Sequence, residues 1–261
     1  MITSLSNDRV KQVVALQSRR QARRKASRFV VEGPRLLHDA VLAGAPIEEV
    51  FYTEDFAADP VSLDLLDGLS NLGAVLVSVD EAVMNAMADT ETPQGIVGVS
   101  PFLELDVPDD KDFALVIDAV ADPGNLGTIM RAAAAAGVQL MISTAGTVDL
   151  YNPKVVRSAM GAHFRLPVRY RSWNGVASLL EGHVLFLASS GGGAPYFDVD
   201  WTQRSALIVS DEAHGASEDA LRVAHAHVTI PMPGGMESLN VAMATSILLF
   251  ERVRQRSQST R

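Results

Sequence analysis

Short apolar runs alternate with helical segments throughout the second half of the chain. The runs cover residues 114–117, 140–143, 184–188, 206–209 and 228–230, and polar or glycine-containing residues follow them. Continuous apolar runs of this length are typical of strands buried on both faces, and strands that alternate with helices usually pair in parallel. The alternation therefore predicts a mostly parallel α/β sheet. Open sheets of this kind bind ligands at the carboxyl ends of their strands.

The first half repeats the pattern on a smaller scale. We predict strands at residues 29–32, 50–53, 74–79 and 95–100, and helices at residues 9–28, 34–42 and 63–72. Asp80 is the expected N-cap of a further short helix. Residues 101–112 contain two prolines and a cluster of charges, which is typical of a linker. We therefore predict a smaller α/β domain over residues 1–108 and a larger one over residues 109–261.

Charge is distributed unevenly along the 261 residues, whose formal net charge is −9. Residues 1–35 carry nine Lys or Arg against two Asp or Glu, whereas residues 36–110 carry sixteen Asp or Glu and no Lys or Arg. The crowded cations of residues 19–25 repel one another, so an anionic partner such as RNA phosphate is favoured over a merely solvated helix face. The candidate RNA-binding residues are Arg19, Arg20, Arg23, Arg24, Lys25, Arg28 and Arg35.

Several classes of protein are excluded by composition. The chain has no cysteine, which excludes disulfides, thiolate metal sites, iron–sulfur clusters and cysteine nucleophiles. No apolar run reaches the roughly 18 residues of a membrane helix, and the polar, basic amino terminus predicts a cytoplasmic protein. His225 and His227 alternate on a predicted strand, but no third ligand of metal type lies near them, so we predict no metal site.

Three segments place Gly, Asn, Ser or Glu directly after an apolar strand. The first is Asp118-Ala-Val-Ala-Asp-Pro-Gly-Asn125-Leu-Gly-Thr-Ile-Met-Arg131. The second covers residues 207–215 and contains Ser210-Asp211-Glu212-Ala213-His214-Gly215, and the third runs from Ile230-Pro-Met232 to Ser238-Leu239-Asn240. Neither the dinucleotide fingerprint GxGxxG nor the Walker phosphate loop is present.

In this order, the three segments resemble the signature motifs of the SpoU/TrmH family of RNA ribose methyltransferases. These motifs are Asn-x-Gly-x-x-x-Arg, a glycine-rich turn containing Glu, and Ile-Pro-Met followed by Ser-Leu-Asn. The resemblance extends to residues 152–162 and to Val31-Glu-Gly-Pro-Arg35. The first domain is similar to the ribosomal-protein-like RNA-binding domain of members that modify large-subunit ribosomal RNA, including the thiostrepton-resistance type.

The resemblance implies a fold, a cofactor and partners. It implies a trefoil knot in the carboxyl-terminal domain, with S-adenosyl-L-methionine bound there. It also implies a homodimer formed through that domain, acting on RNA, with ribosomal RNA favoured over transfer RNA. The expected reaction is attack of a ribose 2′-hydroxyl on the sulfonium methyl group, which requires no metal.

The resemblance further implies which residues act. The catalytic and substrate-positioning set would be Asn125, Arg131, Glu212, Ser238 and Asn240. The cofactor-binding set, contributed mainly through backbone groups, would be Ser189, Ser190, Gly191, Ser210, Gly215, Ile230, Met232 and Leu239. The sequence departs from the family at Ser210 and Ala213, where glycine is usual, and at Asp211, where Asn or Ser is common.

Three alternatives stay open beside a ribosomal RNA methyltransferase. A transfer RNA ribose methyltransferase would carry the same motifs. A non-catalytic RNA-binding or assembly factor would retain the fold after losing its cofactor site at residues 210–213. An α/β enzyme acting on a small molecule is disfavoured, because it would not need the basic amino terminus.

Overall fold

The structure, a computed structural model, describes residues 1–211 and 215–259. The chain forms two compact units, which are described separately. The first contains Met1–Leu103 together with Asp149–Phe164, and the second contains Glu104–Val148 and the described part of residues 165–261. Residues 149–164 follow the predicted linker in sequence, yet they pack with the first unit. Val156 and Phe164 lie in the same hydrophobic core as Phe29 of that unit.

The first unit is built on a four-stranded sheet with the order β1-β4-β2-β3, in which β2 and β3 are parallel and β4 is antiparallel to both of its neighbours. Elements are numbered in chain order. Its strands are β1 (Arg28–Glu32), β2 (Glu49–Tyr52), β3 (Val75–Ser78) and β4 (Ile96–Pro101). Its helices are α1 (Asp8–Ser18), α2 (Arg20–Ala26), α3 (Pro34–Ala43), α4 (Glu54–Ala57), α5 (Pro60–Asn71), α6 (Glu81–Met87) and α8 (Pro153–Ala159), with a 3-10 turn at Ala162–Phe164.

The prediction of one helix over residues 9–28 is wrong, because the helix is interrupted at Arg19. Arg19 has extended backbone angles, φ −126° and ψ 114°, between α1 and α2. The interruption turns Arg23 inward, where its Nη1 donates to the carbonyl oxygens of Leu16 (2.7 Å) and Gln17 (3.1 Å). These carbonyls lie in the last turn of α1 and would otherwise lack partners. A buried guanidinium therefore caps the first helix.

The other predicted elements of this unit agree with the structure within a few residues. Asp80 is the N-cap of α6 as predicted, and its Oδ1 accepts from the backbone N–H of Val83 at 2.8 Å. Glu32, from the Val31–Arg35 segment, accepts hydrogen bonds from the backbone N–H groups of Asp89 (2.8 Å) and Thr90 (3.3 Å). Part of that segment therefore holds a loop of the first unit in place.

A buried histidine completes the aromatic core of the first unit. The ring of His163 lies 5.8 Å from that of Phe29 and 5.6 Å from that of Tyr151, centroid to centroid. Its Nε2 donates to the carbonyl oxygen of Leu150 at 2.8 Å. Burial disfavours the charged imidazolium and lowers the pKa of His163 to about 4. The side chain is therefore neutral near pH 7.

The second unit is built on a seven-stranded sheet with the order β7-β6-β5-β10-β8-β11-β9, and all its recorded neighbours are parallel. Its strands are β5 (Phe113–Asp118), β6 (Leu140–Ser143), β7 (Val168–Tyr170), β8 (Val184–Ala188), β9 (Ala194–Pro195), β10 (Ser205–Ser210) and β11 (Ala226–Thr229). Its helices are α7 (Pro123–Ala135), α9 (Trp173–Leu179), α10 (Glu218–Val223) and α11 (Val241–Ser259), with a 3-10 turn at Tyr196–Asp198.

The predicted parallel α/β sheet is confirmed, and its five predicted strands are β5, β6, β8, β10 and β11. Every residue of β5 is buried, since this strand is covered on both faces. The edge strands β7 and β9 were not predicted, because they are short and partly polar and form no apolar run. Within residues 1–211 and 215–259, no helix combines the length and apolar composition needed to cross a membrane.

Candidate active site

A cavity of about 440 Å³ lies at the carboxyl ends of β8, β10 and β11 in the second unit. Parallel strands end at one edge of a sheet, so the turns that follow them converge there. Seven of the eight predicted cofactor-binding residues line this cavity: Ser189, Ser190, Ser210, Gly215, Ile230, Met232 and Leu239. Gly191 is not among the lining residues. Its backbone N–H instead donates to Ser189 Oγ at 3.1 Å and shapes the turn.

Local hydrogen bonds hold the turns around the cavity. The backbone N–H of Ser189 donates to the carbonyl oxygen of Val228 at 2.9 Å, which ties the turn after β8 to β11. Gly193 follows with φ +137°, and a Cβ at this position would lie 2.6 Å from the carbonyl oxygen of His227. Only glycine allows this close approach of two backbone segments. The wall of the cavity therefore depends on a residue without a side chain.

Two asparagines from different segments are joined by a hydrogen bond. Asn240 precedes α11, and its Oδ1 accepts from the backbone N–H groups of Ala242 (3.0 Å) and Met243 (3.3 Å). Its Nδ2 donates to Oδ1 of Asn125 at 2.9 Å. Backbone N–H groups can only donate, so they fix which end of the Asn240 amide is oxygen and thereby orient Asn125 as well. Asn125 keeps its Nδ2 as a donor for another group.

The other predicted catalytic residues have different surroundings. Ser238 is exposed and lines the cavity. Arg131 is exposed on α7 and forms no hydrogen bond or ion pair with the part of the chain that the structure describes. Glu212 lies outside the described residues, as does Ala213. The structure thus joins Asn125 to Asn240 and places Ser238 at the cavity, while the Arg131 side chain remains available to a ligand.

Three titratable residues of the cavity were not among the predicted site residues. Asp211, His227 and Glu237 all line it. Glu237 immediately precedes Ser238, so proximity to the motif could have indicated it. His227 and His225 lie on the same strand but differ in role. His227 lines the cavity, whereas His225 Nδ1 accepts from the backbone N–H of Leu185 at 2.9 Å. Among the described residues, no group of three or more His, Asp or Glu could hold a metal ion.

The predicted RNA-binding cations divide into two groups. Arg19, Arg20, Arg24, Lys25 and Arg35 are exposed and form no ion pair within the described residues.

Two of the predicted cations form ion pairs inside the first unit, and for Arg23, which is buried, this corrects the prediction. Arg23 is only 3% exposed, and its Nη2 lies 2.7 Å from a carboxylate oxygen of Asp149. Arg28 forms an ion pair with Glu48, and this contact raises the pKa of the Arg28 guanidinium. Their guanidinium groups are therefore already engaged, which the sequence did not indicate because Asp149 is distant along the chain.

Comparison with known proteins agrees with both units. The SpoU rRNA Methylase family model matches residues 112–250, and the MRM3-like substrate binding domain model matches residues 7–98. The chain is 33% identical over 251 residues to the 23S rRNA (guanosine(2553)-2'-O)-methyltransferase RlmP of Bacillus subtilis, covering 95% of this chain and 97% of that protein. It is 32% identical over 262 residues to the 23S rRNA (uridine(2479)-2'-O)-methyltransferase of Streptomyces viridochromogenes, covering 96% and 91%.

Similarity to a solved structure extends over nearly the whole chain. The crystal structure of the SpoU methyltransferase AviRb from Streptomyces viridochromogenes, in complex with the cofactor AdoMet, has a TM-score of 0.87 and 30% sequence identity. The match covers 96% of this chain and 98% of that one. The resemblance carried by the three motifs is thereby confirmed, and the chain belongs to the SpoU rRNA methylase family.

Proposed function

We propose that this protein transfers the methyl group of S-adenosyl-L-methionine to a ribose 2′-hydroxyl of ribosomal RNA. The observation that carries the proposal is the cavity of about 440 Å³, which residues of the second and third family motifs line. The hydrogen bond between Asn125 and Asn240 joins the first motif to the third. By name, RlmP and the uridine(2479) enzyme both methylate a ribose of 23S rRNA.

The cavity has the chemistry that this cofactor requires. Leu187 and Val228 contribute apolar wall for an adenine ring, while Asp211 and Glu237 contribute carboxylates. Negative charge there complements the sulfonium and ammonium groups of the cofactor. The backbone and hydroxyl of Ser189 add hydrogen-bonding groups. When bound, S-adenosyl-L-methionine supplies a methyl group attached to positively charged sulfur.

The catalytic roles follow from the charge and hydrogen-bonding capacity of each side chain. A guanidinium stays protonated, so Arg131 would hold a phosphate and stabilise the developing alkoxide rather than remove a proton. Asn125 Nδ2 would donate to the substrate, since its Oδ1 is engaged by Asn240. Ser238, at the cavity, would orient the reacting groups, and Glu212 belongs to the proposed set through its motif.

RNA would approach the first unit along its exposed cations. Arg19, Arg20, Arg24 and Lys25 lie within seven residues of chain, and their side chains are free of acidic partners in the described structure. Twelve of the sixteen Asp and Glu of residues 36–110 belong to this unit and repel phosphate elsewhere on it. We therefore assign RNA recognition to residues 1–108 and catalysis to residues 109–261. We also propose that the protein is located in the cytoplasm.

Two further properties of the family are proposed for this chain. One face of α11 carries Met243, Ile247 and Phe250, of which the first and last are 57% and 48% exposed. This apolar stripe suits a contact with a second copy in a homodimer. A trefoil knot is proposed because the family resemblance implies it. The strand order β5-β10-β8-β11 and the packing of α11 against α7 are compatible with such a fold.

The test is transfer of labelled methyl from S-adenosyl-L-methionine to unmodified total RNA, followed by sizing of the labelled product. We expect label in large ribosomal RNA with the unaltered protein and a loss of about 10²-fold or more with Arg131→Ala. Arg222→Ala is the matched control, because Arg222 is exposed on α10 and outside the site. Equal activity of the Arg131 and Arg222 variants would contradict the proposed catalytic role.

Cofactor binding, measured separately by calorimetry, distinguishes the alternatives. Absence of binding would favour a non-catalytic assembly factor and contradict the proposal. Label confined to RNA of transfer RNA size would contradict the substrate assignment and leave the reaction unchanged.

A further inference from the structure

An aromatic side chain stands exposed at the same edge of the sheet as the cofactor cavity. Tyr170, the last residue of β7, is 57% exposed. It is the most exposed aromatic residue within 1–211 and 215–259. Exposed rings of this kind are used by RNA-binding proteins to stack unpaired bases. The ring therefore has the chemistry of a nucleobase contact.

The sheet register places Tyr170 in line with the active site. Tyr170 pairs with Ser143 of β6, Ser143 with Ile117 of β5, and Ile117 with Val209 of β10. Val209 lines the cavity. Neighbouring strands are about 4.8 Å apart, so Tyr170 lies about 10 Å from β5, which leads into the Asn125 turn, and about 14 Å from the cavity wall. Nucleotides next to the reacting one fall within this range.

Two arginines, Arg169 and Arg171, flank Tyr170 in the sequence. Arg171 Nη1 donates to the carbonyl oxygen of Tyr170 at 2.8 Å, which fixes the guanidinium beside this residue. The stem of Arg171 packs over Gly175, where an added Cβ would lie 3.3 Å from Arg171 Cδ. The remaining N–H groups of Arg171 form no hydrogen bond in the described structure and can bind phosphate. Base and backbone contacts are thus offered by adjacent residues.

Arg169 serves the edge of the sheet instead. Its Nη2 donates to the carbonyl oxygen of Leu105 at 2.7 Å, and its Nη1 donates to that of Val168 at 3.0 Å. These contacts occupy the guanidinium and cover backbone of the unpaired edge strand. Arg169 is therefore held against the edge strand, and we assign it no contact with the substrate.

We propose that Tyr170 and Arg171 form a stacking site for an unpaired base flanking the methylated nucleotide, with Tyr170 binding the base and Arg171 its phosphate. The inference rests on the proposed RNA methyltransferase function and adds a substrate contact within the second unit. It requires that the target ribose lies in single-stranded or loop RNA, where neighbouring bases are free to stack.

The experiment compares Tyr170→Ala, Tyr170→Phe and the control Phe197→Ala, which removes a ring of 52% exposure elsewhere in the second unit. The probe is an in vitro transcript of large-subunit ribosomal RNA. RNA affinity, kcat and KM for RNA, affinity for S-adenosyl-L-methionine and oligomeric state are measured for each variant.

Loss of a stacked base predicts about tenfold weaker RNA binding and a correspondingly raised KM for Tyr170→Ala. Tyr170→Phe keeps the ring and should match the unaltered protein, as should Phe197→Ala. Cofactor affinity should stay constant in all variants, which also verifies that they are folded.

Several outcomes would overturn the proposal. The first is unchanged RNA affinity and KM in Tyr170→Ala. The second is an equal loss of RNA affinity in Tyr170→Ala and Tyr170→Phe, which would indicate a contact of the hydroxyl. The third is dissociation of an oligomer by Tyr170→Ala, which would place the ring against a second copy. If the unaltered protein transfers no methyl group but Tyr170→Ala still weakens RNA binding, the proposed function fails while the stacking site stands.

Discussion

The hydrogen bond between Asn240 and Asn125 gives a prediction that separates a structural role from a catalytic one. Asn240→Ala removes the N-cap of α11, which costs about 1 kcal/mol, together with a side-chain hydrogen bond worth about 0.5–1.5 kcal/mol. Asn240 is exposed, so water replaces part of both interactions when its side chain is removed. We therefore expect the free energy of unfolding to fall by about 1–2 kcal/mol, somewhat less than the sum of the two contributions.

Asn240→Asp should behave differently, because aspartate caps a helix as well as asparagine does. The carboxylate still accepts from the N–H groups of Ala242 and Met243, so stability should stay within about 0.5 kcal/mol of the unaltered protein. However, a carboxylate cannot donate to Asn125 Oδ1. The Asn125 amide must then rotate, which turns its oxygen toward the site in place of its donor.

Loss of one donor aimed at the reacting groups lowers kcat by about 10²–10³-fold in other enzymes, and we expect a loss of this order for Asn240→Asp. The assays are urea unfolding and single-turnover methyl transfer. The matched control is Asn7→Asp at the N-cap of α1, where Asn7 Oδ1 accepts from the backbone N–H of Arg9 at 2.9 Å and has no catalytic partner. Full activity of Asn240→Asp at unchanged stability would refute the orientation argument.

Three further predictions concern the two units. Arg23→Ala should lower the free energy of unfolding by about 3 kcal/mol, because it leaves a nearly buried carboxylate and two helix carbonyls without their partner. Arg24 is exposed, so Arg24→Ala should change the free energy of unfolding by less than about 0.5 kcal/mol and should weaken RNA binding. Burial lowers the pKa of His163 to about 4 from an unfolded value of 6.5, so the unfolded chain binds the proton first as pH falls. Stability should therefore decrease by up to about 3 kcal/mol between pH 6.5 and pH 4, and less in His163→Gln. Gly193→Ala should weaken cofactor affinity, because the added Cβ would meet a carbonyl oxygen of β11 at 2.6 Å.

These predictions are checked by urea unfolding at several pH values, by RNA binding and by calorimetry with the cofactor. Equal stability of the Arg23 and Arg24 variants would show that the buried ion pair contributes nothing. The same pH dependence with and without His163 would place the acid sensitivity in other groups. Cofactor affinity unchanged by Gly193→Ala would mean that the cavity wall adapts.

The chemistry of the site could be predicted from the sequence because it depends on local order along the chain. Each family motif directly follows an apolar strand, and parallel strands bring the turns after them to one edge of a sheet. The resemblance to the family assigned the turns at Ser189, Ser210 and Ile230 to one cofactor site, and this prediction needed no coordinates. The structure places all three turns around one cavity.

Tertiary structure decided which residues of similar type are available to a ligand. Arg23 and Arg24 are neighbours in a basic run, yet only Arg23 is buried, because a carboxylate at Asp149 meets it across 126 positions of sequence. Likewise, Tyr170 lies in an edge strand too short to form an apolar pattern, and only the register across β6 and β5 aligns it with the cavity. Strand order and burial depend on contacts between distant segments. The sequence by itself therefore determined the family and the turns that line the cavity, whereas packing between distant segments decided which side chains are engaged and which remain exposed.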